Sequence, residues 1–204
     1  MIARMNEPSA LSPIEIPGDA LVLLIGAAGS GKTTLAARLF PGEAILSSDA
    51  LRQQVSGDPA NQGASARAFR ILHDRAGRRL ATGRLTIVDA TNIGAAARRP
   101  LLRIAALHGR PAIAFVLDLP GAVCLERNAR RTGRIVPEAV VRRQLRALRR
   151  ALDRGDLDAE RFDRLVLLTD SALVDETTVG LTEPAQGPTL PLSALPRRTR
   201  RRIP

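Results

Sequence analysis

The chain has 204 residues, of which 45% are apolar and 25% are charged, and this length suits one globular domain better than two. A formal net charge of +11 favours anionic partners such as nucleotides, nucleic acid or an acidic membrane surface, without choosing among them. No apolar run approaches the roughly 20 residues that span a bilayer, and no signal-peptide pattern is present, so we expect a soluble cytoplasmic protein. The single cysteine, Cys124, excludes an internal disulfide and is expected in the core.

The predicted elements alternate along the chain between short apolar runs and helix-like stretches. The apolar runs, which predict buried strands, are 20–25, 44–47, 85–89, 112–117 and 165–168. The helix-like stretches are 33–40, 64–81, 95–108, 122–131 and 137–153. This alternation predicts an α/β fold with a parallel sheet covered by helices on both faces. We expect a domain at 20–170, preceded by a flexible leader at 1–19 and followed by a mostly flexible Pro/Arg-rich tail at 171–204.

The first apolar run leads into a glycine-rich segment with the pattern GxxxxGK[ST], followed by a predicted helix. In this context the glycines allow backbone N–H groups to surround phosphate oxygens at a helix N-terminus. A chance glycine-rich turn is the alternative, but strand, loop and helix occur in the required order. Lys32 is the only lysine beside 30 arginines, which indicates a need for a compact ammonium here. The predicted nucleotide-binding residues in this segment are Gly26, Gly29, Ser30, Gly31, Lys32, Thr33 and Thr34, with Thr33 also a Mg²⁺ ligand.

Acidic residues follow the second and third predicted strands, at the edge where parallel sheets bind ligands. Asp49 is a candidate general base for an attacking hydroxyl, and Arg52, three residues later, a candidate for holding an anionic group of the acceptor. Capping of the next helix is the alternative role for Asp49. Asp89 ends the third strand and is a candidate Mg²⁺ ligand. Asn92 either positions a substrate or fixes the loop, and a turn-forming role is the alternative for both Asp89 and Asn92.

Four arginines cluster after the helix at 122–131, namely Arg127, Arg130, Arg131 and Arg134. A small lid carrying them would stabilise the charge that develops during phosphoryl transfer. In so arginine-rich a chain, a solvated surface is the alternative. The next helix has an apolar stripe including Val141 and Leu148, opposite an arginine face. That face is either only solvated or follows phosphates, and both interpretations remain open.

Together these motifs resemble the polynucleotide 5′-kinase domain of nucleic-acid repair enzymes. The resemblance rests on GxxxxGKT at 26–33, Asp49-x-x-Arg52, DATN at 89–92, and Arg127-Asn128-x-x-Arg131 followed by Val136-Pro137. It implies an adenylate-kinase-like core that transfers the γ-phosphate of ATP, with Mg²⁺, to a 5′-OH end of RNA or DNA.

By matching positions, the resemblance implies that Lys32 and Thr33 serve the donor phosphates and metal, and that Asp49 is the base. It further implies that Arg52 contacts the phosphate beside the acceptor hydroxyl, and that Arg131, with Arg127, acts from the lid. The phosphatase and ligase domains that often accompany this kinase are absent, so separate repair partners are expected. A kinase for a small-molecule hydroxyl is the main alternative, and a nucleotide-driven ATPase or switch is a third.

Overall fold

The computed structural model describes residues 12–57, 65–132 and 134–185. Its strands are β1 (Ile14–Pro17), β2 (Leu21–Gly26), β3 (Ile45–Ser47), β4 (Thr86–Asp89), β5 (Ala112–Leu117), β6 (Arg164–Leu168) and β7 (Val179–Thr182). Its helices are α1 (Lys32–Leu39), α2 (Ser48–Ser56), α3 (Ser65–Ala81), α4 (Ala95–Leu107), α5 (Gly121–Ala129), α6 (Glu138–Asp153) and α7 (Ser171–Glu176), with a 3₁₀ turn at Gly42–Ala44. Among the helices so described, none is both long and apolar enough to cross a bilayer.

Five strands form one parallel sheet in the order β3-β4-β2-β5-β6. The predicted α/β fold with a parallel sheet is therefore confirmed. Every residue of β2 and β5 is buried, because helices cover both faces of the sheet. This double coverage explains why these strands are continuous apolar runs instead of alternating ones.

The two faces of the sheet carry separate apolar cores. One core includes Leu35 of α1, Cys124 of α5 and Val141 of α6. The other includes Leu101 of α4 and Leu148 of α6. Helix α6 thus contributes to both layers, and its apolar stripe is buried at Val141 and Leu148 and half-buried at its other positions.

Ordered structure extends beyond the predicted domain limits of 20 and 170. Strand β1, in the expected leader, pairs in parallel with β7, in the expected tail, with Ile14 opposite Val179. Arg38 of α1 supports this two-stranded sheet by donating to the carbonyl oxygens of Thr177, at 2.7 Å, and Val174. Four-residue strands punctuated by proline carry little pattern, and each depends on a partner at the other end of the chain. Residues 1–11 and 186–204, including the terminal arginines, lie outside the described residues.

Candidate functional site

The phosphate loop connects β2 to α1 as the motif predicts. Gly29 and Gly31 have φ angles of 82° and 91°, in the left-handed region that favours glycine. A Cβ atom on Gly29 would overlap the backbone carbonyl oxygen of Cys124 in α5. Glycine is therefore required at position 29 both by backbone conformation and by close packing. Ala28 N–H donates to Oε1 of Gln144 at 2.9 Å, which ties the loop to α6.

The Lys32 side chain lies within the curve of this loop and is 8% exposed. Its Nζ donates to the Ala27 carbonyl oxygen at 2.7 Å and to Oγ of Ser30 at 3.3 Å. Burial lowers the pKa of Lys32 to about 8; Asp89 opposes this change, whereas Arg131 adds to it. A bound phosphate would supply the anion that this ammonium lacks, so the site fits the nucleotide that the motif predicts.

Thr33 and Asp89 bring a hydroxyl and a carboxylate together beside the loop. Oγ1 of Thr33 donates to Oδ2 of Asp89 at 2.8 Å. Mg²⁺ is usually held by one or two such oxygens together with substrate phosphates and water. The pair therefore fits the predicted magnesium site, and the described residues contain no group of three or more His, Cys, Asp or Glu that would form an all-protein metal cage.

The predicted acceptor residues lie at the start of α2. Ser47, and not Asp49, is the N-cap of this helix, with its side chain accepting from Ala50 N–H. Asp49 in the first turn forms an ion pair with Arg52, whose side chain is 9% exposed, against 51% for Asp49. Burial lowers the pKa of Arg52, and the nearby Arg134 contributes in the same direction. The Asp49 carboxylate is thus free of a capping role and open to solvent.

Both groups of residues open into one cavity of about 570 Å³. Its lining includes Lys32, Thr33 and Asp89 from the phosphate-loop side and Asp49 and Arg52 from the α2 side. The remaining walls include residues from the α3 N-terminus, the segment before α6, and α6 itself, among them Phe69, Arg131, Arg134, Val136, Arg143 and Gln144. The tertiary structure therefore brings together the predicted donor and acceptor residues.

The four predicted lid arginines lie in three different environments. Arg131 and Arg134 line the cavity. Arg127 donates to Oγ of Ser171 at 2.9 Å, and its Nη1 lies beside Gly31 of the phosphate loop. Arg130 pairs with Glu126 at 2.8 Å on the surface. Arg130 is therefore a solvated surface residue and not part of the cavity wall.

Two other predicted site residues lie apart from the cavity. Asn92 is 2% exposed, and its Nδ2 donates to the Leu24 carbonyl oxygen at 2.9 Å, joining β2 to the loop after β4. Its φ of 46° is a conformation that asparagine tolerates better than most residues. This geometry favours the loop-fixing role over substrate contact. Thr34 is exposed on α1 and is not among the residues that line the cavity.

Arg98 is a supporting residue that sequence reasoning missed. Its guanidinium, 1% exposed, donates to both carboxylate oxygens of Glu160, at 2.7 and 2.5 Å. It also donates to the carbonyl oxygens of Asn92, at 2.8 Å, and Ile93. Arg98 therefore holds the loop that follows Asp89. In a chain with so many arginines, no sequence signal distinguishes this one.

Gln144 was also missed, although a weak signal exists. It is the only uncharged polar residue of α6, and it occupies the position that reaches the phosphate loop.

A phosphate loop after the central strand of a parallel sheet, with paired Thr33 and Asp89, defines a P-loop nucleotide-binding domain of the kinase type. The AAA_33 family model, described as an AAA domain, matches residues 21–154, and the chain belongs to this family. Membership in a P-loop kinase family implies ATP binding, usually with Mg²⁺. No curated protein matches the sequence at a significant level.

Solved structures are similar to this chain at low sequence identity. A chain in the structure of the Pnkp1/Rnl/Hen1 RNA repair complex is 20% identical with a TM-score of 0.57; the match covers 72% of this chain and 48% of that one. A putative kinase from Chloroflexus aurantiacus is 21% identical with a TM-score of 0.52, over 74% of this chain and 87% of that one. A gluconokinase from Sinorhizobium meliloti is 21% identical with a TM-score of 0.49, over 79% and 90%.

Proposed function

We propose that this protein transfers the γ-phosphate of ATP to the 5′-OH end of an RNA or DNA strand. The observation that carries the proposal is that Asp49 and Arg52 open into the same cavity as Lys32, Thr33 and Asp89. A nucleotide-driven switch needs the phosphate loop but has no need of a carboxylate and an arginine facing it. A kinase for a phosphorylated alcohol needs both.

On the acceptor side, the oxygen of the 5′-hydroxyl forms a bond to the γ-phosphorus, and Asp49 accepts the proton that this hydroxyl loses. The bond from that phosphorus to the bridging oxygen breaks, and ADP leaves. Arg52 binds the phosphate next to the hydroxyl, so the acceptor end is oriented toward the donor. Because the Asp49 side chain is half-exposed, its carboxylate is accessible to an incoming hydroxyl.

On the donor side, Lys32 and the loop N–H groups hold the terminal phosphates, and Thr33 and Asp89 would hold Mg²⁺. When bound, Mg²⁺ neutralises charge on the phosphate oxygens. Arg131 and Arg134, both on the cavity wall, stabilise the charge spread over the transferring phosphoryl group. Arg127, beside Gly31, supports the loop from its other side.

The RNA repair structure supports this proposal by showing the fold within an RNA repair complex. At 20% identity it supports the fold alone, so the choice of acceptor rests on Asp49 and Arg52. A small-molecule alcohol that bears a phosphate is the second candidate, because a cavity of about 570 Å³ also accommodates a sugar-sized acceptor.

The test is label transfer from γ-labelled ATP and Mg²⁺ to matched RNA and DNA oligonucleotides with a free 5′-OH, against the same strands with a 5′-phosphate. We expect transfer only to the free 5′-OH. Lys32→Ala and Asp49→Asn should lower the rate at least about 100-fold, and Asp49→Asn should leave ATP affinity nearly unchanged. Asp175→Asn, an exposed carboxylate of α7, is the matched control and should behave as wild type.

Absence of labelling on every oligonucleotide, with ATP binding intact, would refute the nucleic-acid acceptor. A screen of phosphorylated metabolites would then test the second candidate. Unchanged turnover in the Asp49 variant would refute its role as the base.

A further inference from the structure

A second concave surface lies between α4, the C-terminal half of α6 and residues 156–161. We define it as the basic groove. Its volume is about 950 Å³. Its charged lining includes five exposed arginines: Arg99, Arg103, Arg150, Arg154 and Arg161.

The basic groove carries an excess of unneutralised positive charge. Two carboxylates also line it, Asp156 and Glu160, and Glu160 is already paired with the buried Arg98. Within the part of the chain that the structure describes, none of the five exposed arginines forms an ion pair. Like charges gathered in a concave surface produce a positive potential that favours an anionic ligand.

The basic groove and the cavity beside the phosphate loop are lined by neighbouring parts of the same elements. Helix α6 supplies Arg143 and Gln144 to the cavity, and about two to three turns later Arg150 of α6 and Arg154, the C-cap of this helix, line the groove. At the helical rise of 1.5 Å per residue, Arg150 lies about 10 Å along the axis from Arg143. The loop after β4 also borders both surfaces, with Thr91 in the cavity and Ile93 in the groove. An elongated polyanion whose end lies at Asp49 would therefore meet the groove next.

The groove lining is suited to phosphates and not to bases. Among the residues that the structure describes, no aromatic side chain lines it, so these residues offer no aromatic ring on which a base could stack. Guanidinium groups instead form charge-assisted hydrogen bonds with phosphate oxygens, independently of base sequence.

We propose that the basic groove binds the sugar-phosphate backbone of the acceptor strand, a few nucleotides downstream of its 5′ end. This inference rests on the proposed kinase function. In this proposal the arginines along α4 and at the end of α6 help to bind long acceptor strands. They are not required for the phosphoryl transfer itself.

The experiment compares Arg103→Gln/Arg154→Gln with Arg78→Gln/Arg84→Gln. The control removes the same charge from α3 and the α3–β4 loop, outside both surfaces, and glutamine is a good helix former. For each protein, kcat and KM are measured on a nucleoside 3′-phosphate and on a 20-nucleotide 5′-OH strand at several salt concentrations. Binding of the labelled strand without ATP is followed by fluorescence anisotropy.

For the groove variant we expect KM for the long strand to rise about tenfold with kcat unchanged, and KM for the nucleoside 3′-phosphate to change less than twofold. The slope of log affinity against log salt should fall by about 2, one for each phosphate contact removed. Equal changes on both acceptors, or the same loss in the control variant, would overturn the groove assignment.

The two proposals fail differently. If wild-type protein binds the strand through the groove but labels no 5′-OH end, the kinase proposal is refuted and the groove stands as a nucleic-acid site. If labelling occurs and the groove variant binds and labels the long strand as wild type does, only the groove assignment is overturned.

Discussion

Oγ1 of Thr33 donates a hydrogen bond to Oδ2 of Asp89 at 2.8 Å, joining the first residues of α1 to the last residue of β4. The two residues are 56 positions apart in the sequence, and they meet because β2 and β4 are neighbours in the sheet. These two side chains would hold Mg²⁺ when it binds with a nucleotide. Substitutions of Thr33 and Asp89 therefore test most directly whether this part of the cavity binds the metal and the donor phosphates.

We expect Thr33→Ser to retain activity and Thr33→Val to abolish most of it, because only serine keeps the oxygen. In Asp89→Asn, the Mg²⁺ concentration for half-maximal activity should rise at least about tenfold, since the carboxylate charge is lost. A Mg²⁺ titration of label transfer measures both effects. An unchanged half-maximal concentration in Asp89→Asn would contradict the metal assignment.

ATP affinity should depend on pH through Lys32. In the free protein, burial lowers the pKa of Lys32 to about 8, whereas phosphate binding should raise it again because the anion favours the ammonium. Below pH 8 the lysine is protonated in both states, so affinity is constant. Above pH 8, binding requires uptake of one proton, and Kd should rise about tenfold per pH unit.

Isothermal titration of the protein with MgATP from pH 7 to 9.5 measures this dependence. Lys32→Met has no group that titrates at this position. This variant should bind MgATP more weakly, but its Kd should not rise above pH 8. A flat profile in the wild type would show that Lys32 stays protonated throughout the range.

Gly29→Ala should destabilise the protein and abolish nucleotide binding. The backbone at Gly29 has a φ of 82°, and a Cβ there would overlap the carbonyl of Cys124. The strained conformation alone costs about 1 to 3 kcal/mol, and the loop must also move away from α5. Gly42→Ala is the matched control, because a Cβ at Gly42 has no neighbour within 4 Å. Thermal unfolding with and without ATP compares the two, and equal melting temperatures would contradict the packing argument.

Replacing Arg98 should be more damaging than replacing any single surface arginine. Arg98→Met leaves Glu160 and the carbonyl oxygens of Asn92 and Ile93 without their donor, which should lower the free energy of unfolding by about 3 to 5 kcal/mol. Arg98→Met/Glu160→Gln should lose less than the two single changes added together, because the unpaired charge is removed.

Arg142→Gln is the control for this comparison. Its ion pair with Glu138 is exposed and should contribute less than about 1 kcal/mol. Urea unfolding of the variants gives the ranking, and an Arg98 effect as small as that of Arg142 would show that the loop does not depend on it.

Local pattern alone predicted the five central strands, the phosphate loop and helices α1, α3, α4, α5 and α6, whereas α7 lies in the segment expected to be a mostly flexible tail. Buried parallel strands are continuous apolar runs, and Gly29, Gly31, Lys32 and Thr33 act within a few residues of one another. The order of the predicted strands also placed Asp49 and Asp89 at the same edge of the sheet.

Only the tertiary structure decided the features that depend on distant partners. Strands β1 and β7 are too short to show a pattern, and each is stabilised by the other. Composition could not distinguish the buried Arg98 from Arg131 on the cavity wall or Arg130 on the surface, because all three have the same side chain. The basic groove, too, is formed only where α6 packs beside α4 in the folded chain. The sequence determined which functional groups are available. Packing between distant elements decided which of these side chains line the cavity and the groove.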